Sequence, residues 1–143
     1  MPRSISLGLP ILVATTVLLS VQAISAQDGH GVPELTRAII ARSVVDREPV
    51  DPGTVFPADV GRVACFTQIQ SAASQTHIIH VWYWKDQEMA RVELPVRSLS
   101  WRTWSTKRIL SEWVGPWKVV ILDPDGTELG TLPFEVSGSA SKS

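Results

Sequence analysis

The chain has 143 residues, 44% of them hydrophobic and 19% charged, with one cysteine, three histidines and a formal net charge of -1. An ordinary apolar fraction argues against a disordered, collagenous or coiled-coil chain, and a lone cysteine rules out a disulfide scaffold. The near-neutral balance lacks the basic excess of a whole-molecule nucleic-acid binder, so no nucleic-acid partner is expected.

Residues 1–26 open with Arg3, continue as an apolar run from Ile5 to Val21 and close on the small residues Ala23 to Ala26. This pattern reads as a secretory signal peptide cleaved after Ala26 or Ala23, with an uncleaved signal anchor as the alternative. The run is interrupted by Gly8 and Pro10 and falls short of the ~20 apolar residues that cross a bilayer comfortably, so no span is expected after cleavage. A lipid anchor would need a cysteine directly after the run, and the cysteine of this chain is Cys65. The expected location is therefore periplasmic or secreted. Removing the segment takes away Arg3 alone among the charges and leaves a slightly acidic remainder. Residues 27–33 and 137–143 are rich in Gly or Ser, lack periodicity and read as flexible ends.

Between Glu34 and Val136 the apolar pattern has period 2 and is broken at short intervals by turn residues, the signature of short strands. Arg37–Val45 reads as the first strand, although Ala38-Ile-Ile-Ala41 could also start a helix. Asp46–Gly53 reads as a turn-rich crossing in which Pro49 and Pro52 stop any ladder. Arg62–Gln70 is the second strand. His77–Lys85 and Met89–Arg97 form an antiparallel hairpin, and in its second arm Ala90, Val92, Leu94 and Val96 alternate with Arg91, Glu93 and Arg97. Ser100–Leu110 follows. A second hairpin joins Trp117–Leu122 to Glu128–Val136 through Asp123-Pro-Asp-Gly126, where Pro124 suits the first turn position and Gly126 the left-handed one. Seven short strands in about a hundred residues fit an all-β, immunoglobulin-like antiparallel sandwich.

The strings Asp46-Arg-Glu-Pro49, His80-Val-Trp-Tyr83, Ala90-Arg-Val-Glu-Leu94, Ser100-Trp-Arg-Thr-Trp-Ser105, Gly115-Pro-Trp-Lys-Val119 and Asp123-Pro-Asp-Gly126 occur in this order. Together they resemble the bacterial domain of unknown function 2914, over about Glu34 to Val136. The resemblance implies a bacterial envelope-associated β domain, found alone behind a signal peptide or attached to membrane segments. It carries no established activity and no catalytic residues to transfer.

The residues themselves offer little catalytic chemistry. His77 and His80 stand three apart, so on a strand they face opposite ways and cannot share a metal ion. No Cys or carboxylate cluster completes a site around either, and neither metal nor cofactor is expected. His80 is instead expected beside Trp82 on one face, making a hydrogen bond that fixes the strand. Cys65 reads as a buried small hydrophobe, with an exposed dimerising thiol as the alternative. No Gly-x-Ser-x-Gly turn, phosphate-cradling glycine loop or carboxylate pair stands out: Asp123 and Asp125 belong to a turn and Glu93 to a wet face. A hydrolase is the least favoured reading.

Six tryptophans are the unusual feature, four of them between Trp101 and Trp117 in a stretch that also holds Arg97, Arg102, Lys107, Arg108 and Lys118 against Glu112. Aromatic planes beside cations suit a glycan or other polyanion. The candidate ligand-binding residues are therefore Trp101, Arg102, Lys107, Arg108, Trp113 and Lys118. Against this stands core filling, expected for Trp82, Trp104 and Trp117, with Trp101 and Trp113 partly exposed. The sequence thus points to a non-enzymatic interaction module of the bacterial cell envelope, a monomer or weak homodimer, whose partner is an envelope protein or a glycan.

Overall fold

Alternating apolar residues with short polar turns give nine strands in the computed structural model, which describes Gly8, residues 32–71 and residues 73–138. The expected signal peptide 1–26, apart from Gly8, and residues 27–31 and 139–143 of the expected flexible ends lie outside the described residues. The strands are β1 (Glu34–Val45), β2 (Glu48–Pro52), β3 (Val55–Pro57), β4 (Arg62–Gln70), β5 (Thr76–Trp84), β6 (Gln87–Val96), β7 (Ser100–Arg108), β8 (Gly115–Leu122) and β9 (Glu128–Ser137). They form a four-stranded sheet in the order β2-β1-β4-β7 and a five-stranded sheet in the order β3-β9-β8-β5-β6. The two sheets pack as the all-β, immunoglobulin-like sandwich that the strand pattern predicts. Ala38–Ala41 is strand, not helix.

Both expected hairpins are present. In the first, Lys85 and Asp86 both adopt positive φ (46° and 62°), the backbone of a tight two-residue turn whose twist matches its strands. In the second, the Asp123 carboxylate accepts the backbone N–H groups of Asp125 (2.9 Å) and Thr127 (2.8 Å). Gly126 there takes the left-handed φ of 83°.

Two strands exceed the expected seven. Pro49 and Pro52, expected to stop a ladder, instead sit in β2, opposite Val44 and Ala41. An outermost strand tolerates proline because its open side has no ladder bond to lose. β3 is three residues long and joins the other sheet by parallel pairing with β9, burying Phe56. Ser137, placed in the flexible tail by its composition, ends β9, and Pro33 is already buried.

The β1–β2 hairpin does not continue flat. Glu48 pairs with Val45 in the ladder, eight residues and about 26 Å of extended strand from Arg37. Yet its carboxylate lies 2.8 Å from Arg37 and 2.6 Å from Arg102. A single Arg–Glu contact spans less than half that length, so beyond Ala41 the hairpin must fold back across the outer face of its own sheet. Left-handed Asp51 (φ 53°) lies in the β2 arm next to this bend. Beneath the flap Phe66 and Ala64 are fully buried although they point away from the sandwich core. The Arg37 guanidinium bonded to Glu48, with Arg102 beside it, holds the Glu48 carboxyl below its ordinary range despite the opposing desolvation.

The core between the sheets comprises Ile40, Val63, Cys65 and Ile69 from one layer and Ile78, Trp82, Val96, Val119, Ile121 and Val136 from the other. Leu35 packs over Gly130 of β9, where a Cβ would stand 2.8 Å from Leu35 Cδ2 and require that side chain to shift. Cys65 is fully buried, and burial pushes its thiol far above the ordinary range. A maleimide or disulfide reagent should therefore leave the native protein unmodified for hours and label it rapidly in denaturant. Rapid native labelling would place the thiol at the surface.

Candidate functional site

The tryptophans divide by strand parity. On β7, Thr103 and Ser105 point into the sandwich and are buried. Trp104 therefore points outward, paired opposite Phe66, and the expectation that it fills the core is corrected. Trp82 and Trp117 do fill it. Trp101 and Trp113 are half-buried, as expected.

A polar junction occupies the middle of the core. Trp82 Nε1–H donates to Ser105 Oγ (3.1 Å), and the same hydroxyl is bonded to His80 Nδ1 (2.7 Å). On the other side Thr67 Oγ1 donates to the Thr103 carbonyl (3.2 Å) and so accepts from His80 Nε2–H (3.2 Å). Thr67 thus requires a proton on Nε2, and in the neutral imidazole the bare Nδ1 then accepts from the Ser105 hydroxyl, so that all four bonds close. His80 and Trp82 come from β5, Thr67 and Ser105 from β4 and β7, so the junction ties one sheet to the other. Burial lowers the His80 pKa to about 3. The expected hydrogen bond beside Trp82 is present, while its partners Thr67 and Ser105 carried no sequence signal. Among the described residues no group of three His, Cys, Asp or Glu side chains could hold a metal ion.

A second cluster closes one end of the sandwich. Trp84, Trp113 and Trp117 have ring centres 6.1 to 6.4 Å apart, and Trp117 stacks on Phe134 at 5.8 Å. Trp84 and Trp117 donate their indole N–H groups to the carbonyls of Val114 and Trp113, each at 3.0 Å. The β7–β8 connection is thereby pinned over the core.

The six candidate ligand-binding residues do not form one patch. Trp101 and Arg102 stand at the start of β7, where the Arg47 guanidinium lies 5.1 Å from the Trp101 ring centre and donates to the Arg102 carbonyl at 3.3 Å. Lys107 and Arg108 stand at its other end, about 20 Å away. Lys107 lies 5.0 Å above the Trp113 ring, and burial lowers its ammonium pKa. Lys118 belongs to the other sheet, where it lies 5.3 Å from the Tyr83 ring centre and pairs with Asp86 at 3.2 Å.

What the structure does assemble is a cleft of ≈ 240 Å³ lined by Arg47, Pro95, Arg97, Trp101, Arg102, Thr103 and Trp104. Of the expected residues it keeps Trp101 and Arg102. It adds Arg97, already noted in the basic stretch, and Arg47, which reaches it only because the β1–β2 hairpin folds back. No local pattern around Arg47 announces that move.

Residues 75–136 match the family model described as protein of unknown function (DUF2914), the family that the sequence strings resemble. The match runs from the start of β5 almost to the end of β9. It is narrower than the Glu34–Val136 span of the resemblance and omits β1–β4. No curated protein matches the chain.

Proposed function

We propose, for a chain that carries a DUF2914 region across β5–β9, a non-enzymatic interaction module of the bacterial cell envelope that takes a glycan or other polyanion. The signal-peptide pattern of residues 1–26 supports a periplasmic or secreted location. The observation that carries the reading is the cleft in which Arg47, Arg97 and Arg102 stand with Trp101 and Trp104. Guanidinium groups offer planar forks to carboxylate, sulfate or phosphate, and indoles offer faces to sugar rings. Arg102 is held by Glu48 and Arg47 by Trp101, so both are positioned before a ligand arrives. Arg97 forms no salt bridge among the described residues and supplies the uncompensated charge. Two groups of the acid–base type are engaged in structure: His80 lies sealed between the sheets and Asp123 is bonded to backbone N–H groups.

The test is retention on immobilised lipopolysaccharide and peptidoglycan as salt rises. Binding should weaken about tenfold or more between low and physiological salt, because exposed charges are screened. Arg47→Gln with Arg97→Gln should abolish it with little change in melting temperature, while Arg91→Gln should leave it intact. Arg102→Glu is a poor probe, since it sets a second carboxylate against Glu48. Unchanged retention by the double variant overturns the proposal.

A further inference from the structure

At the far end of β7 from that cleft, Arg108 lies directly opposite Arg62 in the β4–β7 ladder. Arg42 of β1 joins them around a separate cavity of ≈ 410 Å³, walled by Val60 and Gly61 of the turn before β4. Like charges directly opposite on antiparallel strands repel and destabilise the pair. Elsewhere the chain settles such cations on carboxylates: Arg37 and Arg102 on Glu48, Arg91 on Glu88, Lys118 on Asp86. Others rest on rings, as Arg47 does on Trp101 and Lys107 on Trp113. Among the described residues Arg42, Arg62 and Arg108 do neither. Three arginines thus line one cavity, with no salt bridge or ring contact of their own among the described residues.

We infer that Arg42, Arg62 and Arg108 form a second anion site, selective for a tetrahedral oxyanion of the phosphate class. Each guanidinium can present two parallel N–H donors to such a group, and three cations exceed the charge of one phosphate dianion. The cavity has room for a phosphate and the first atoms of whatever carries it, so a lipid headgroup and a small soluble phosphate are both sources of the same chemistry. This site shares no residue with the polyanion cleft, and the two readings stand or fall separately.

The experiment is thermal melting of the protein as the cell produces it, titrated with inorganic phosphate against chloride at matched ionic strength. Saturable binding should raise Tm by about 5 °C at saturating phosphate. Arg62→Gln and Arg108→Gln, tested separately, should each lose that rise and should melt slightly higher than the parent without phosphate, because the cross-strand repulsion is gone. Arg47→Gln with Arg97→Gln should keep the rise, which distinguishes failure of this site from failure of the other. Co-sedimentation with phosphatidylglycerol vesicles, but not phosphatidylcholine vesicles, dependent on Arg62 and Arg108, would assign the phosphate to a lipid. Phosphate binding without vesicle binding would assign it to a soluble ligand. Equal shifts in phosphate and chloride, or a phosphate shift retained by both single variants, overturn the site.

Discussion

Trp82→Ala should lower the stability of the fold by about 3–5 kcal/mol, the cost of emptying a large buried aromatic site. The indole is fully buried, meets Phe134 edge to face at 6.1 Å and donates to Ser105 at 3.1 Å. Truncation thus removes packing from the centre of the core and one donor from the junction between the sheets. Trp82→Phe separates the two contributions. It keeps much of the ring but not the N–H, so it should fall between the parent and Trp82→Ala, with about 1–2 kcal/mol of its cost arising from the lost bond. The measurement is urea unfolding at neutral pH, read as a midpoint shift at constant slope. A Trp82→Ala midpoint within error of the parent would show that the two sheets do not depend on this side chain.

The hairpins β5–β6 and β8–β9 were legible because period 2 and turn chemistry agreed there, down to the left-handed Gly126. The β1–β2 flap was not, because proline reads as a break unless the strand is known to lie at an edge, and edges are settled by the whole sheet. Trp104 was misplaced for a related reason. On β7 the polar Thr103 and Ser105 look like the wet face and Trp104 like the core, yet the polar residues turn inward to meet His80 and Trp82. A buried polar junction inverts the usual alternation, and its bonded partners lie 13 to 36 residues apart along the chain. The basic aromatic stretch was visible as composition. Its division between two ends of β7 and a second sheet follows from strand length and sheet order, neither of which composition contains.

Acid should weaken the fold as the pH falls below 6.5. His80 is neutral when folded, its pKa lowered to about 3 by burial, against 6.5 for the unperturbed group. Below pH 6.5 the unfolded chain takes up a proton that the folded chain refuses, so this group's contribution is complete above pH 6.5 and is lost progressively toward pH 3. The loss is about 1.4 kcal/mol per pH unit once the unfolded histidine is mostly protonated. Glu48, whose pKa is also lowered, adds its own loss only as pH falls below the ordinary carboxylate value of 4.5. The His80 contribution is therefore read between pH 6.5 and 4.5, as the difference between the parent and a variant that changes this residue alone. His80→Gln can still accept at one amide atom and donate from the other, so it should fold, with lower stability at pH 7 but a flatter dependence between pH 6.5 and 4.5. Urea midpoints at pH 7, 6, 5 and 4.5 for parent and variant decide the matter, and parallel pH profiles would show that His80 is not held neutral in the core.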